Sequence, residues 1–244
     1  MSTLSIIVPC HNEEKRLDIG KFLDFLGQTG NTRIIFVNDG STDNTNSVLQ
    51  KIKDGKPERI SIINLVERKG KAEAVRTGLL ESIGQNNFSY HGFIDADLSV
   101  SLNEMYRLFI ILAGSNKKFI IGSRIKKIGA IITRNEWRHF YSRVIATLVG
   151  YIIKLDVYDT QCSAKIFNTA MINPVFTDNF RTKWLFDVEI ICRIHKQEGS
   201  LESAGLEEPL LQWTEMKGSK LRWFNFFQIV NEVFVLKKYY RSKS

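Results

Sequence analysis

At 244 residues, with 43% hydrophobic and 25% charged side chains, the chain has the makeup of an ordinary globular protein with one sizeable core. Its net charge of +8 suits an anionic partner: nucleic acid, an acidic membrane surface or a phosphorylated substrate. Cys10, Cys162 and Cys192 are far apart and form no CxxC pair, which excludes a disulfide framework and a zinc site of the finger type.

The opening "MSTLSIIVPCHNEE" has no basic n-region, and its apolar run breaks at Pro9, so no signal peptide is expected. A reducing cytoplasm is the simplest compartment. "LSIIVPC" reads as a buried parallel strand, and "EEKRLDIGKFLDFLGQ" as a helix with apolar residues at helical spacing. "RIIFVND" is a second strand, stopped by "DGSTDNT", where Thr42 and Asp43 are in place to cap the helix "NTNSVLQKIK". "RISIINLV", "YHGFIDADLS" and "KFIIGSR" are further strands, separated by the helices "KAEAVRTGLLESI" and "LNEMYRLFIILAG". This alternation predicts an α/β domain with a mostly parallel central sheet flanked by helices.

The rhythm changes after Lys126. "RNEWRHFYSRVIATLVGYIIKL" reads as a long helix, followed by "DTQCSAKIF", an irregular "NFRTKWLFDVEIICRIHKQ", a strand-like "LEEPLLQWTEM" and a last helix "RWFNFFQIVNEVFVLKKYY". No stretch reaches the ~20 apolar residues of a spanning helix. Basic residues flank aromatic-rich amphipathic segments in both long helices, a composition that fits an anionic bilayer surface, internal packing or a homodimer. Residues 1–220 are expected to form the main domain, with 221–244 a C-terminal amphipathic basic helix.

In open parallel sheets ligands bind outside the carboxyl ends of the strands. His11-Asn12-Glu13, Asn38-Asp39, Glu67-Arg68-Lys69, Asp95/Asp97 and Ser123-Arg124 each follow a strand, so one rim gathers them. Asp95 and Asp97 stand out there. Two carboxylates held close repel unless a cation shares them, and Mg2+ is typically held by one or two carboxylates with substrate phosphates filling other positions. The same pair also suits helix capping, with Asp97 and Ser99 at the start of "LNEMYRLF".

In order, "IVPCHNEE", "VNDGSTDNT", "RKGKAEAVRTG", "FIDADLS" and "GSR", with "DTQCSAKIF" and "GSKL" beyond them, resemble the family 2 glycosyltransferases. The likeness is greatest to the polyprenyl-phosphate branch, the dolichyl-phosphate glucosyl- and mannosyltransferases. The resemblance implies the GT-A nucleotide-diphospho-sugar transferase fold, a UDP or GDP sugar donor, Mg2+ or Mn2+, and inversion at the anomeric carbon. It places Pro9, His11, Glu13 and Asp39 at the nucleoside, Lys71 at an anion, and Asp95 and Asp97 at the metal. It also puts Asp159 near the reacting carbon and Arg124 and Lys220 on phosphate oxygens; Arg134 and Arg138 are further phosphate candidates by their chemistry alone, since guanidinium groups hold phosphate oxygens bidentately. The acceptor is then a polyprenyl phosphate, reached by a protein peripheral at the cytoplasmic face of a membrane.

A lipid phosphate arrives as an anion and needs no general base, whereas a glycan hydroxyl does; Asp159, Asp187 and Glu189 are the carboxylates available for that role. A family 2 enzyme extending a cell-surface polysaccharide is therefore the alternative. A nucleic-acid-binding module would explain the charge but leaves the acidic rim unexplained, so no nucleic acid is expected.

Overall fold

The computed structural model describes residues 2–84, 88–126, 128–133, 150, 157–215 and 226–240. Arg134, Arg138 and Lys220, and the long helix expected near 134–155, lie outside the described residues. Strands β1 (Leu4–Cys10), β2 (Thr32–Asp39), β3 (Ile60–Leu65) and β4 (Tyr90–Phe93) alternate with helices α1 (Ile19–Gln28), α2 (Thr45–Gly55) and α3 (Lys71–Gly84). Next come α4 (Leu102–Ala113), β5 (Phe119–Ser123), β6 (Ile131–Thr133), β7 (Lys165–Asn168), α5 (Thr169–Phe176) and α6 (Phe186–Glu198). The described chain closes with α7 (Leu201–Ala204), β8 (Gly205–Pro209), β9 (Gln212–Thr214) and α8 (Phe226–Tyr240).

Seven strands form one sheet in the order β3-β2-β1-β4-β7-β5-β8, and β6 pairs with β9 in a separate parallel ribbon. Within the large sheet β7 runs antiparallel to both its neighbours, β4 and β5, while the remaining pairs are parallel. The order turns at β1 and β4, so the tips of these two strands open the crevice where such sheets bind ligands.

Alternation along the strands explains the two cores. Ile7, Ile35, Val37 and Phe93 point to one face and pack with α3, α5, α6 and α8. Ile6, Val8, Ile34 and Phe36 point to the other and pack with α1, α2 and α4. Helix α3 lies so close to β1 that a Cβ at Gly78 would come within 2.6 Å of Ile7 Cγ2.

Three local expectations are corrected. Helix α1 begins at Ile19, capped by Asp18, because Glu13 is drawn into a turn with Arg16. Ser101, accepting from Glu104 N at 3.1 Å, caps α4, and Asp97 instead accepts from Ser99 N. The segment read as irregular contains α6, whose apolar rhythm is broken by Asp187, Glu189 and Arg193, polar residues that are nonetheless buried. The last helix is present, and it docks inward. Ile229, Val233 and Leu236 are buried, and buried Glu232 accepts the backbone N–H groups of Lys183, Trp184 and Leu185. Phe234, Tyr239 and the last-turn Lys237 and Lys238 form its outer side.

His91 in β4 is fully buried between Ser82 Oγ, 2.6 Å from Nδ1, and Thr169 Oγ1, 3.0 Å from Nε2. Burial pushes this imidazole down to about 4, against the pull of the Phe88 carbonyl. Its folded value lies below its unfolded one, so the unfolded chain binds the extra proton first as pH falls. Stability is therefore lost from about pH 6.5 downward and levels off near 4. The depressed carboxylates Asp95 and Asp159 act in a different window, below the ordinary carboxylate value. We expect denaturant unfolding to show about 2 kcal/mol less stability at pH 5 than at pH 7. His91→Gln should flatten that dependence; an equal slope in both chains would contradict the assignment.

Candidate active site

The rim is assembled by loops that bind one another before any ligand is considered. At the tip of β1 the His11 ring meets the Asp39 carbonyl, Nδ1 to O 2.8 Å, joining β1 to β2. Asn12 adopts φ 54 and exchanges hydrogen bonds with Ser41 and Thr42, while Glu13 N donates to Thr45 Oγ1 at 2.8 Å. Pro9 lies in β1 opposite Val37. The Glu13 carboxylate takes Arg16 through both oxygens, at 2.6 and 2.5 Å.

Asp39 is buried, and its carboxylate accepts Lys69 N at 2.6 Å and Gly70 N at 2.9 Å. It thereby fixes the backbone that leads into α3. Gly40 makes this possible: its φ is +58, and a Cβ there would lie 2.5 Å from Arg68 N. Asp39 thus shapes the turn into α3 at the end of β2.

Lys71, the first residue of α3, reaches across to Asp95 Oδ1 at 2.5 Å. Burial alone would raise the Asp95 carboxyl, but the Lys71 ammonium, with help from Ser163 and Lys165, holds it below the usual range. The chain then turns sharply, with Leu98 at φ 52, a conformation rarely taken by a branched residue. This bend brings Asp97 beside Arg16, whose Nη1 lies 3.5 Å from Asp97 Oδ2. Among the described residues no group of three or more His, Cys, Asp or Glu side chains could hold a metal ion. A divalent cation at this tip would therefore have Asp95 and Asp97 from the protein and would need phosphate or water oxygens for the rest, as Mg2+ commonly does. The partly exposed carboxylates of this pair fit such a cation.

At the tip of β5, Arg124 holds Asp159 through its backbone N (3.0 Å), Nε (2.7 Å) and Nη2 (2.8 Å). Two residues 35 apart in sequence, both expected in the site, are therefore one unit. Burial works against ionisation of Asp159, yet Arg124 wins and holds it low; the guanidinium, stacked 5.5 Å from the Trp213 ring, is raised in return. Glu207 fixes the turn from below by accepting Tyr158 N and Asp159 N.

Lys165 was not anticipated. It is a fully buried lysine in β7, donating to the Cys162 carbonyl and to Asp187 Oδ1, each at 2.5 Å. The sequence signal was a lysine inside the apolar run "SAKIF". Asp187 therefore pairs with Lys165. Glu189 pairs with Arg193, at 2.8 Å, and also accepts Thr182 N, Thr182 Oγ1 and the Tyr240 hydroxyl.

Residues 5–176 match the family model described as glycosyl transferase family 2. The chain is 31% identical to a dolichyl-phosphate beta-glucosyltransferase of Drosophila melanogaster, over 96% of this chain and 74% of that one. It is likewise 31% identical to the enzyme of that name in Saccharomyces cerevisiae, over 89% of this chain and 69% of the relative. Among solved structures it is similar to glucosyl-3-phosphoglycerate synthase from Mycobacterium tuberculosis in complex with Mn2+, UDP and glucosyl-3-phosphoglycerate. That likeness has a TM-score of 0.64 at 14% identity and covers 97% of this chain and 80% of the other. S. aureus TarS 1–349 in complex with UDP-GlcNAc gives 0.57 at 16% identity, covering 96% and 66%. At these identities the two structures speak for the fold.

The Lys165–Asp187 pair carries a stability prediction. Lys165→Met leaves the Asp187 charge buried and unanswered and should cost about 3–5 kcal/mol. The double variant Lys165→Met/Asp187→Leu should recover much of that loss in denaturant unfolding. A single variant as stable as the native chain would show that the two groups do not depend on each other.

Proposed function

The chain belongs to glycosyl transferase family 2, and from that premise we propose that it transfers glucose from UDP-glucose to a polyprenyl phosphate of the dolichyl type, with inversion. The observation that carries the choice of acceptor is the state of the three carboxylates available as general bases. Asp159 is locked by Arg124, Asp187 by Lys165, and Glu189 by Arg193 and the Thr182 backbone. A carboxylate held low by a bidentate guanidinium is a weak proton acceptor. Such a site favours a nucleophile that arrives already ionised, as a phosphate monoester does, over a sugar hydroxyl. The relatives named above as dolichyl-phosphate beta-glucosyltransferases support the same acceptor and sugar.

In this reading the loops after β1 and β2, with Pro9, His11 and Asp39, frame the nucleoside. The amino-terminal end of α3 and Lys71 draw the donor diphosphate, which free helix N–H groups and an ammonium both favour. Asp95 and Asp97 would hold a divalent metal, which supplies a Lewis acid for the charge that builds on the departing diphosphate. Arg124, whose charge is balanced by Asp159 and whose guanidinium is held over Trp213, would act at the β5 tip as an oriented hydrogen-bond donor to the acceptor phosphate. An oxygen of that phosphate attacks the anomeric carbon as the bond to the diphosphate breaks. The products are UDP and the lipid-linked glucosyl phosphate. No helix among the described residues is long and apolar enough to cross a membrane, so this part of the chain would meet its acceptor at the bilayer surface.

The test uses UDP-glucose labelled in the sugar, with and without dolichyl phosphate and EDTA. Label should pass to the lipid fraction only with dolichyl phosphate and without EDTA. Asp97→Ala should lower turnover at least about a hundredfold while the folded circular dichroism persists. Asp159→Asn should slow transfer but leave the shape of the pH–rate profile unchanged, since no base is lost. Transfer to a soluble glycan alone, or transfer that survives EDTA, would overturn the reading.

A further inference from the structure

The two carboxylates at the tip of β4 are each met by a protein cation, and the two cations are held very differently. Arg16 lies 3.5 Å from Asp97 and is anchored by Glu13 through two short hydrogen bonds. Lys71 lies 2.5 Å from Asp95 Oδ1 and has no other carboxylate at ion-pair distance among the described residues. Its stem is a flexible four-carbon chain, and side-chain exposures of 38% for Lys71 and 33% for Asp95 leave the contact open to solvent. The backbone behind it is rigid, because Asp39 holds Lys69 N and Gly70 N. So the ammonium can swing while its root stays fixed.

A divalent cation on Asp95 would face that ammonium at close quarters, and although Asp95 has a second oxygen to offer, the two positive charges repel. Metal entry therefore favours departure of the loosely held Lys71, whereas Arg16 stays anchored by Glu13. The departing ammonium needs a new anion, and the nearest place for one is the amino-terminal end of its own helix, where a diphosphate is favoured.

Resting on the reading of Asp95 and Asp97 as the metal site, we propose that Lys71 is a resident counter-cation that exchanges with the metal, making metal and nucleoside diphosphate bind cooperatively. Metal alone displaces Lys71 into water. Metal with a nucleoside diphosphate gives Lys71 a second anion to hold. The exchange makes loading of the site conditional on the donor.

The experiment is titration of the full chain with Mn2+, followed by the paramagnetic resonance signal of the free ion, with and without UDP. Lys71→Met should take up Mn2+ alone about tenfold more tightly than the native chain, the scale on which a close opposite charge acts on a carboxylate. UDP should tighten Mn2+ binding much less in that variant than in the native chain, and Lys71→Arg should behave like native. Lys71→Gln repeats the measurement should the methionine chain not fold. Mn2+ binding no tighter in Lys71→Met and Lys71→Gln than in native, yet abolished by Asp95→Asn, would remove the exchange and leave the metal site standing. No Mn2+ uptake by any chain, even with UDP, would overturn the metal site and the exchange with it.

Discussion

Carboxylates do not gather at one strand rim without cations to answer them. At 4 Å two unit charges interact by about 1 kcal/mol in water and several times more near protein surfaces, so like charges must be interleaved with opposite ones. Here each carboxylate is met from a different element. Lys71 comes from α3 to Asp95, Arg16 from the β1–α1 loop to Asp97, Arg124 from β5 to Asp159, and Lys165 from β7 to Asp187. The sheet order is what brings these elements together, because β7 lies between β4 and β5. Charge balance at the rim and the topology beneath it are thus one constraint.

That constraint separates the pairs into two kinds. Lys165 and Asp187 are buried, and their mutual contact fixes the turn carrying Asp159 to the first turn of α6. A buried pair of this sort tends to specify a geometry more than to add stability, since desolvation offsets much of the attraction. Lys71 and Asp95 are half open, and there the attraction can be traded for another partner. The buried pair holds the frame, while the open one stays exposed at the crevice.

Much of this was legible in the sequence. The apolar runs ending at "PCHNEE", "VNDGS" and "FIDADLS" located the strand ends, because strands buried on both faces read as continuous apolar runs. Asp95, Asp97, Arg124, Asp159, Lys71 and Asp39 do fall at one rim. What escaped the reading had a common cause: long-range pairing. Lys165 could not be matched with Asp187, nor Glu232 with the backbone of Lys183–Leu185, because such partners are set by tertiary packing and carry no spacing signature. Helix α6 was hidden for the same reason, as its buried Asp187, Glu189 and Arg193 look like surface residues until their partners are known. Asp97 and Ser99 suit a cap by residue type, and only backbone geometry shows that Ser101 takes that place.

The reversed direction of β7 has an effect of its own. Since β5 ends at the rim and β7 begins there, the chain between Arg124 and Asp159 departs from and returns to the same side of the sheet. The fork between those two residues shuts that excursion like a clasp. The pairing of β5 with β7 is thereby anchored at its rim end by a side-chain ion pair as well as by the ladder itself.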